Sequence, residues 1–201
     1  MSLTINYYGL NRVKYWVVRY LNTIFLAQEK GAITFMDGVN KIEFSKTPMV
    51  ANMHSWVSRD LPAVIIGPTT ASYEERSFMK NGIHDASLDD TATQSFYGGD
   101  IDIAMTLYVR ATTTIEADLL TDTVSIFFSK ADAKDYFMRQ DIKIAKPPSV
   151  GAMAAIPEPD TDFSFYEVPV ELSLHSTWIE WVEAEERLID IIVDIEAELD
   201  P

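Results

Sequence analysis

Two neighbouring carboxylates at the start of a strand-like segment are the residues in this chain best suited to chemistry. Asp100 and Asp102 are separated by a single residue, so an extended backbone would place both side chains on one face. Paired acids of this kind can bind a hard cation or act as general acid and base. No third ligand is specified beside them, and solvated acids are common where strands begin. We therefore favour a structural role for this pair over a metal or catalytic site.

The residue spacings that mark common catalytic and cofactor sites do not occur in the sequence. G-x-G-x-x-G, G-x-x-x-x-G-K-[ST] and G-x-S-x-G are all missing. His54, His84 and His175 lie far apart, without the paired spacing of a helical zinc motif. The chain has no cysteine, which excludes disulfides, a thiol nucleophile and cysteine-based zinc sites. We therefore predict a protein that is not an enzyme, with no catalytic residues, no metal and no cofactor.

The charge balance argues against a protein that binds nucleic acid. The 201 residues include 31 acidic and 16 basic residues, which gives a net charge of -15. Binding to phosphates depends on Lys and Arg, whereas an acidic wall repels DNA that passes nearby. No apolar run approaches the roughly 20 residues needed to cross a bilayer, and residues 1–10 lack the pattern of a secretion signal. We expect a protein made in the cytoplasm, with no membrane partner.

Apolar periodicity predicts one helix and then strands in the first half of the chain. Residues 10–30 carry apolar side chains at three- and four-residue spacing, which predicts an amphipathic helix that Gly31 ends. Residues 32–44 suggest two short strands joined by a turn at Asp37-Gly38. The apolar run 63–66, bounded by Pro62 and by Gly67-Pro68, fits a buried strand.

The second half of the chain alternates strands and helices. Residues 101–110 alternate apolar and polar side chains, the period of a half-buried strand. Thr113 and Glu116 have the spacing of a capping box, so a middle helix should follow. Residues 141–145 and 150–156 are two short candidate strands, each stopped by prolines. Residues 165–175 alternate again, with Pro169 favouring an edge strand or a bulge.

A final acidic helix is the most informative feature of the sequence. Thr177 and Glu180 repeat the capping spacing, and apolar side chains follow along one face. Residues 177–201 hold nine acidic residues and one basic residue, whereas residues 1–30 hold four basic residues and one acidic residue. Glu185 and Glu196 lie within or beside the apolar stripe, so burial inside one subunit would leave charge unpaired.

We predict that this helix docks on a neighbouring subunit or on a basic surface such as that around Arg12, Lys14 and Arg19, with packing inside one chain as the alternative. The candidate interface residues are Trp178, Trp181, Glu185, Leu188, Ile192, Ile195, Glu196, Arg12 and Arg19.

Together these elements predict an α+β fold. A mixed, mainly antiparallel sheet is flanked by an N-terminal helix, a middle helix and a C-terminal acidic amphipathic helix. Residues 1–175 are expected to form a single α/β core domain, with loop insertions at about 81–99 and 146–163. Residues 176–201 are expected to form the docking or interface helix.

The order of these elements resembles that of the tail-terminator and neck proteins of tailed bacteriophages, which are compact α/β subunits that form rings at the top of a tail. The resembling segments are 10–27, 62–67, 99–111 followed by 117–124, and 165–174, which cover about half of the chain. The acidic loop before Gly99, the proline-rich segment 147–159 and the acidic last helix exceed the family's minimal pattern. Terminator, head-side connector and sheath neighbour therefore all stay open as positions in the virion.

The resemblance implies a structural virion protein with no catalytic residue, made in the host cytoplasm. It would form a homo-oligomeric ring, expected to be a hexamer, that ends the tail tube and joins the tail to the head connector, beside tube and sheath proteins. DNA would pass through the ring without specific binding, and acidic residues would line or flank the channel. The candidate channel or loop contacts are Asp85, Asp89, Asp90 and Asp100.

Two other classes of function stay open. An adaptor would place the final helix in a partner's groove and would be monomeric until that partner is added. A metal-dependent hydrolase using Asp100 and Asp102 would be stabilised by a divalent cation, because a ligand that binds only the folded state raises its melting temperature.

Overall fold

Three helices and eight strands make up the part of the chain that the computed structural model describes, which is residues 9–31, 34–37, 40–52, 60–76, 94–158 and 163–183. The helices are α1 (Leu10–Glu29), α2 (Thr114–Ser129) and α3 (Ala131–Met138). The strands are β1 (Phe35–Asp37), β2 (Asn40–Ile42), β3 (Met49–Asn52), β4 (Ala63–Arg76), β5 (Gln94–Ala111), β6 (Ile142–Val150), β7 (Ala154–Pro157) and β8 (Ser164–Glu183).

Six of these strands form one mixed sheet. Its order is β3-β4-β5-β8-β6, and β7 also pairs with β8. β3 runs parallel to β4, while β6 and β7 run antiparallel to β8. β1 and β2 pair antiparallel as a separate two-stranded sheet, and Gly38 of the predicted turn lies outside the described residues. The predicted α+β fold with a mixed, mainly antiparallel sheet is confirmed.

The alternating sequence of β5 becomes an alternation of buried and exposed side chains. The apolar members Ile103, Met105, Leu107 and Val109 are at most 2% exposed. At the alternate positions Asp102 and Ala104 are exposed, and Thr106 and Tyr108 are half-buried. α1 packs against β3, and α2 and α3 pack against β6. Apolar residues of these helices, such as Val17 and Leu120, are fully buried. The helices therefore supply the apolar cover for one face of the sheet, where burial provides most of the stability.

Thr113 begins α2 as the capping-box spacing predicts, and the carboxylate of Glu116 binds a separate loop. Thr113 Oγ1 accepts a hydrogen bond from the Glu116 N–H at 3.2 Å. Glu116, which is 8% exposed, accepts hydrogen bonds from the Ser45 N–H at 2.8 Å and from Thr112 Oγ1 at 3.5 Å. This carboxylate thus holds the segment after β2 against the start of α2.

An aromatic cluster joins the three helices around Tyr20. The Tyr20 ring lies 5.4 Å from Phe128, 5.0 Å from Tyr136 and 5.2 Å from Phe137 between ring centroids. Its hydroxyl donates to the Phe127 carbonyl at 3.1 Å, and burial raises the pKa of Tyr20 to about 12. The Tyr136 hydroxyl is also buried, yet it has no hydrogen-bond partner among the described residues. The cluster therefore contains one satisfied hydroxyl and one unsatisfied hydroxyl.

Two tyrosine-to-phenylalanine substitutions should show how much each of these two hydroxyls contributes to stability. Tyr20→Phe removes a made hydrogen bond and should lower the free energy of unfolding by about 1 kcal/mol. Tyr136→Phe removes a hydroxyl that lacks a partner, so it should leave stability unchanged or raise it. Urea unfolding of both variants beside the unaltered protein measures the difference. If both variants lost the same free energy of unfolding, the hydrogen bond from Tyr20 to the Phe127 carbonyl would not be the cause of the loss in Tyr20→Phe.

The last described segment is a strand where the sequence predicted the start of a helix. β8 continues to Glu183, so the prediction of a helix over residues 177–183 is wrong. These residues include Trp178, Ile179, Trp181 and Val182, which are aromatic or β-branched and favour strands. The Thr-x-x-Glu spacing at Thr177 does not by itself select a helix. The rest of the predicted helix, residues 184–201, lies outside the described residues.

Three segments predicted to be loops or strand ends belong to strands. β4 passes through Gly67-Pro68 to Arg76, and β5 begins at Gln94, inside the predicted insertion 81–99. β6 and β7 occupy much of the predicted insertion 146–163. β6 accommodates Pro147 and Pro148 because its pairing with β8 shifts register on both sides of Lys146.

The chain divides into two compact units. The larger comprises Leu10–Ser72 and Asp102–Ser176 and contains the three described helices. The smaller comprises Met1–Gly9, Tyr73–Ile101 and Thr177–Pro201, and its described residues are Gly9 and the ends of β4, β5 and β8. The predicted boundary between residues 175 and 176 stays a prediction.

Candidate functional site

A partly buried ion pair joins β5 and β8. Arg110 Nε lies 2.6 Å from Glu167 Oε2, and the two side chains are 9% and 16% exposed. The guanidinium carbon of Arg110 lies 5.1 Å from the Phe165 ring centroid and 5.8 Å from that of Tyr108. Because both side chains are mostly shielded from water, their attraction is screened less than that of an exposed ion pair. The pair bridges two neighbouring strands of the sheet.

A small apolar cluster supports this ion pair. Its buried members and the partly buried residues packed on them are Leu61, Ala63, Ile65, Phe165, Met49, Tyr108 and Ile156. Gly67 of β4 lies against the Tyr108 ring, since a Cβ at that position would stand 2.7 Å from Tyr108 Cδ2 and 3.2 Å from the Thr106 carbonyl oxygen. Glycine is therefore required here so that an aromatic ring can lie close to the strand backbone.

Asp102 and His175 form a more exposed pair on neighbouring strands. Asp102 Oδ1 lies 2.9 Å from His175 Nδ1, with side chains 66% and 34% exposed. Lys143 of β6 is the cross-strand neighbour of His175. A carboxylate that holds a histidine can orient a general base, but this chemistry also needs a nucleophile or a third ligand. The described residues contain no group of three His, Asp or Glu side chains that could hold a metal ion.

The two carboxylates singled out in the sequence differ in their surroundings. Asp100 is 8% exposed, whereas the side chain of Asp102 is 66% exposed and contacts His175. Both residues lie in β5 two positions apart, which places them on one face of the strand, although only Asp102 is exposed. Their assignment to structure rather than chemistry stays a prediction.

The two arginines predicted for an interface lie on α1. Arg12 Nη2 is 3.7 Å from Asp141 Oδ2, so a carboxylate of the same chain accompanies this charge. Arg19 is exposed, donates to the Tyr15 hydroxyl at 3.2 Å and stacks 5.1 Å from the Trp16 ring centroid. Of the two, Arg19 offers the more accessible cation for a partner.

The remaining predicted residues fall in two groups. Trp178 and Trp181 lie in β8 rather than in a helix. The others lie outside the described residues, and they are Glu185, Leu188, Ile192, Ile195, Glu196, Asp85, Asp89 and Asp90. Their roles stay predictions.

Sequence reasoning missed the Arg110–Glu167 pair and the role of Gly67. Arg110 stands on the polar side of the β5 alternation, where an exposed charge is the ordinary expectation. Gly67 ends the apolar run 63–66, so its sequence context indicated a strand boundary, and the close approach of Tyr108 became visible only once β4 was seen to continue through it.

A scan against protein-family models finds no matching family, and no curated protein matches the sequence. None of the described helices is both long and apolar enough to cross a membrane. The basis for a functional proposal is therefore the chain's own charge distribution and surfaces.

Proposed function

We propose that this chain is a structural virion protein of a tailed phage that forms a ring at the neck. The ring, expected to contain six copies, would end the tail tube and join the tail to the head connector. Its neighbours would be tube, sheath and connector proteins, with another neck or sheath-adjacent position as the alternative. DNA would cross the ring without specific binding.

The uneven distribution of charge between the two units supports this proposal most. The smaller unit contains 15 acidic residues and three basic residues, a net charge of -12. The larger unit contains 16 acidic and 13 basic residues, a net charge of -3. Such a concentrated negative field repels a polyanion and keeps it from adhering. A channel through which DNA must slide freely requires a surface to which DNA does not adhere.

The residues predicted for the channel and for the C-terminal contact belong to this acidic unit in the chain. Asp85, Asp89, Asp90 and Asp100 fall in Tyr73–Ile101, and Leu188, Ile192 and Ile195 fall in Thr177–Pro201. The apolar residues of the C-terminal segment alternate with many acids, so they are expected to pack on another subunit that supplies cations. Arg19 on α1 is an exposed cation of this kind.

Disrupting the apolar residues of the C-terminal segment should abolish the assembly. The combined variant Leu188→Asp with Ile192→Asp adds two charges where a subunit contact is proposed, and buried unpaired charge is costly. We expect the particle mass measured by light scattering to fall to that of a monomer or small oligomer. The matched control is Ile126→Asp, at a side chain of α2 that is 55% exposed, which should keep the full mass.

Two results would contradict this proposal. One is an unaltered protein that stays monomeric at every concentration tested. The other is a Leu188→Asp with Ile192→Asp variant whose mass equals that of the unaltered assembly.

A further inference from the structure

A cluster of aromatic rings on α1 and α3 reaches the surface of the larger unit and holds a cation there. Tyr15 is 55% exposed, and its ring contacts that of Trp16 edge to face, with 5.3 Å between centroids. The Trp16 ring in turn lies 6.0 Å from that of Tyr136 of α3. The guanidinium carbon of Arg19 lies 5.1 Å from the Trp16 ring centroid, and Arg19 Nη1 donates to the Tyr15 hydroxyl at 3.2 Å. These four residues are called the α1 patch below.

The α1 patch has the composition and the order of a protein-binding surface. Tyr, Trp and Arg are the residues that contribute most binding energy at protein interfaces, because each buries a large apolar area and also donates hydrogen bonds. The four side chains already contact one another, so they have less conformational freedom to lose when a partner binds. Tyr15 and Arg19 are both exposed and therefore accessible to a partner.

The charge around the α1 patch contrasts with that of the chain as a whole. Residues 1–28 contain no acidic residue, although the chain has 31 acidic residues in 201. α1 contains three basic residues and one acidic residue, Glu29, at its last position. α3 adds two acidic residues and one basic residue, so the cation that the exposed rings hold is Arg19. A fitting partner is therefore a segment that is both apolar and acidic.

We propose that the α1 patch binds residues 184–201 of a second copy of the chain. This segment contains seven Leu, Ile and Val residues, together with seven acidic residues and one basic residue. Its apolar side chains suit the exposed rings, and its carboxylates suit the Arg19 guanidinium, which can bind a carboxylate through two N–H groups. The proposal rests on the proposed ring and names the surface that receives the C-terminal segment. It joins two different surfaces, as neighbours in a closed ring require.

A labelled synthetic peptide of residues 184–201 measures this contact without requiring a ring. It is titrated, with fluorescence anisotropy as the readout, into the full chain carrying Leu188→Asp with Ile192→Asp, whose own segment is impaired as a competitor. We expect saturable binding that weakens as salt is raised, because ions screen the attraction between charges. Adding Tyr15→Ala with Arg19→Glu to this chain should weaken binding by about tenfold or more, as the loss of a dominant interface residue does.

Two further variants keep this result specific. Lys146→Glu is the matched control, because it reverses one exposed charge on β6 and leaves α1 unaltered, so the peptide affinity should stay that of the parent chain. Arg19→Glu alone changes one exposed side chain and keeps all the rings, so it should weaken binding while circular dichroism shows an unchanged fold.

A mixture of two impaired full chains tests whether the contact joins two copies. One chain carries Tyr15→Ala with Arg19→Glu, and the other carries Leu188→Asp with Ile192→Asp. The first has an intact C-terminal segment and the second has an intact α1 patch, so the mixture can form one contact of the proposed kind. We expect light scattering to show a mixed dimer and nothing larger, whereas each chain alone should not give this dimer.

The proposal would be overturned if the peptide did not bind saturably, or if Tyr15→Ala with Arg19→Glu left its affinity unchanged. Peptide binding without a mixed dimer would place the contact within one chain and overturn the choice of a second copy. The ring is judged from the particle mass of the unaltered protein. Rings without peptide binding would therefore refute only the α1 patch, and peptide binding with a mixed dimer but without rings would refute only the ring.

Discussion

Replacing Glu167 by leucine should lower the free energy of unfolding by about 3 kcal/mol. The substitution leaves the Arg110 guanidinium, whose side chain is 9% exposed, without the carboxylate that lies 2.6 Å away. Removing one partner of a buried pair is costly because the remaining charge can recover neither the lost contact nor full hydration. Urea unfolding, followed by circular dichroism, measures the loss.

The matched control removes both charges together. Arg110→Met combined with Glu167→Leu should recover most of the stability, since Phe165 and Tyr108 already surround the guanidinium with apolar surface. If the single Glu167→Leu variant loses under about 1 kcal/mol, the pair behaves as an exposed salt bridge and its structural role is refuted. A double variant as unstable as the single one would show that side-chain shape, and not charge, causes the loss.

Gly67→Ala should lower the free energy of unfolding by about 2 kcal/mol, since inserting a methyl group into a filled space forces neighbours out of position. The added Cβ would stand 2.7 Å from Tyr108 Cδ2 and 3.2 Å from the Thr106 carbonyl oxygen. Moving the Tyr108 ring also disturbs the packing around Arg110, whose guanidinium carbon lies 5.8 Å from that ring centroid. Thermal or urea unfolding checks this expectation.

Two comparisons show whether the Tyr108 ring is responsible. Gly9→Ala is the control glycine, because a Cβ there would meet nothing within 4 Å; its loss should stay below about 1 kcal/mol, the cost of alanine directly before a helix. In a Tyr108→Ala background the cost of Gly67→Ala should shrink, since residues in contact are energetically coupled. An undiminished cost in that background would assign the effect to the strand backbone instead.

Local patterns in the sequence predicted the elements whose residues interact mainly with their neighbours in the chain. The apolar spacing of residues 10–30 gives α1, and the alternation after Asp100 gives most of β5. Thr113 begins α2 because its hydroxyl needs only the N–H of Glu116, three residues later. Interactions between residues this close in sequence do not depend on how distant segments pack, so a local pattern is enough to predict them.

Features that depend on strand register could not be predicted in the same way. Arg110 meets Glu167 across 57 residues of sequence, and the contact exists only once β5 and β8 lie side by side. β4 continues through Pro68, which lies beyond the residues that pair with β3, so its missing N–H breaks none of that pairing. The prediction of a helix at Thr177 was wrong because the residues after it are β-prone, and a capping spacing alone does not make such residues helical.

Charge links the fold to the proposed assembly. The larger unit has 16 acidic and 13 basic residues and a net charge of -3, whereas the smaller unit has a net charge of -12. Acidic residues keep a protein soluble, and in the proposed ring they would also determine what this unit can face. A passing polyanion that must not adhere, and cationic surfaces on neighbouring subunits, both fit it.

Negative-stain imaging of the purified protein, over a range of concentrations, tests this assembly most directly. We predict closed rings with a central opening and about sixfold symmetry. A field of particles no larger than two copies at every concentration would contradict the proposed ring.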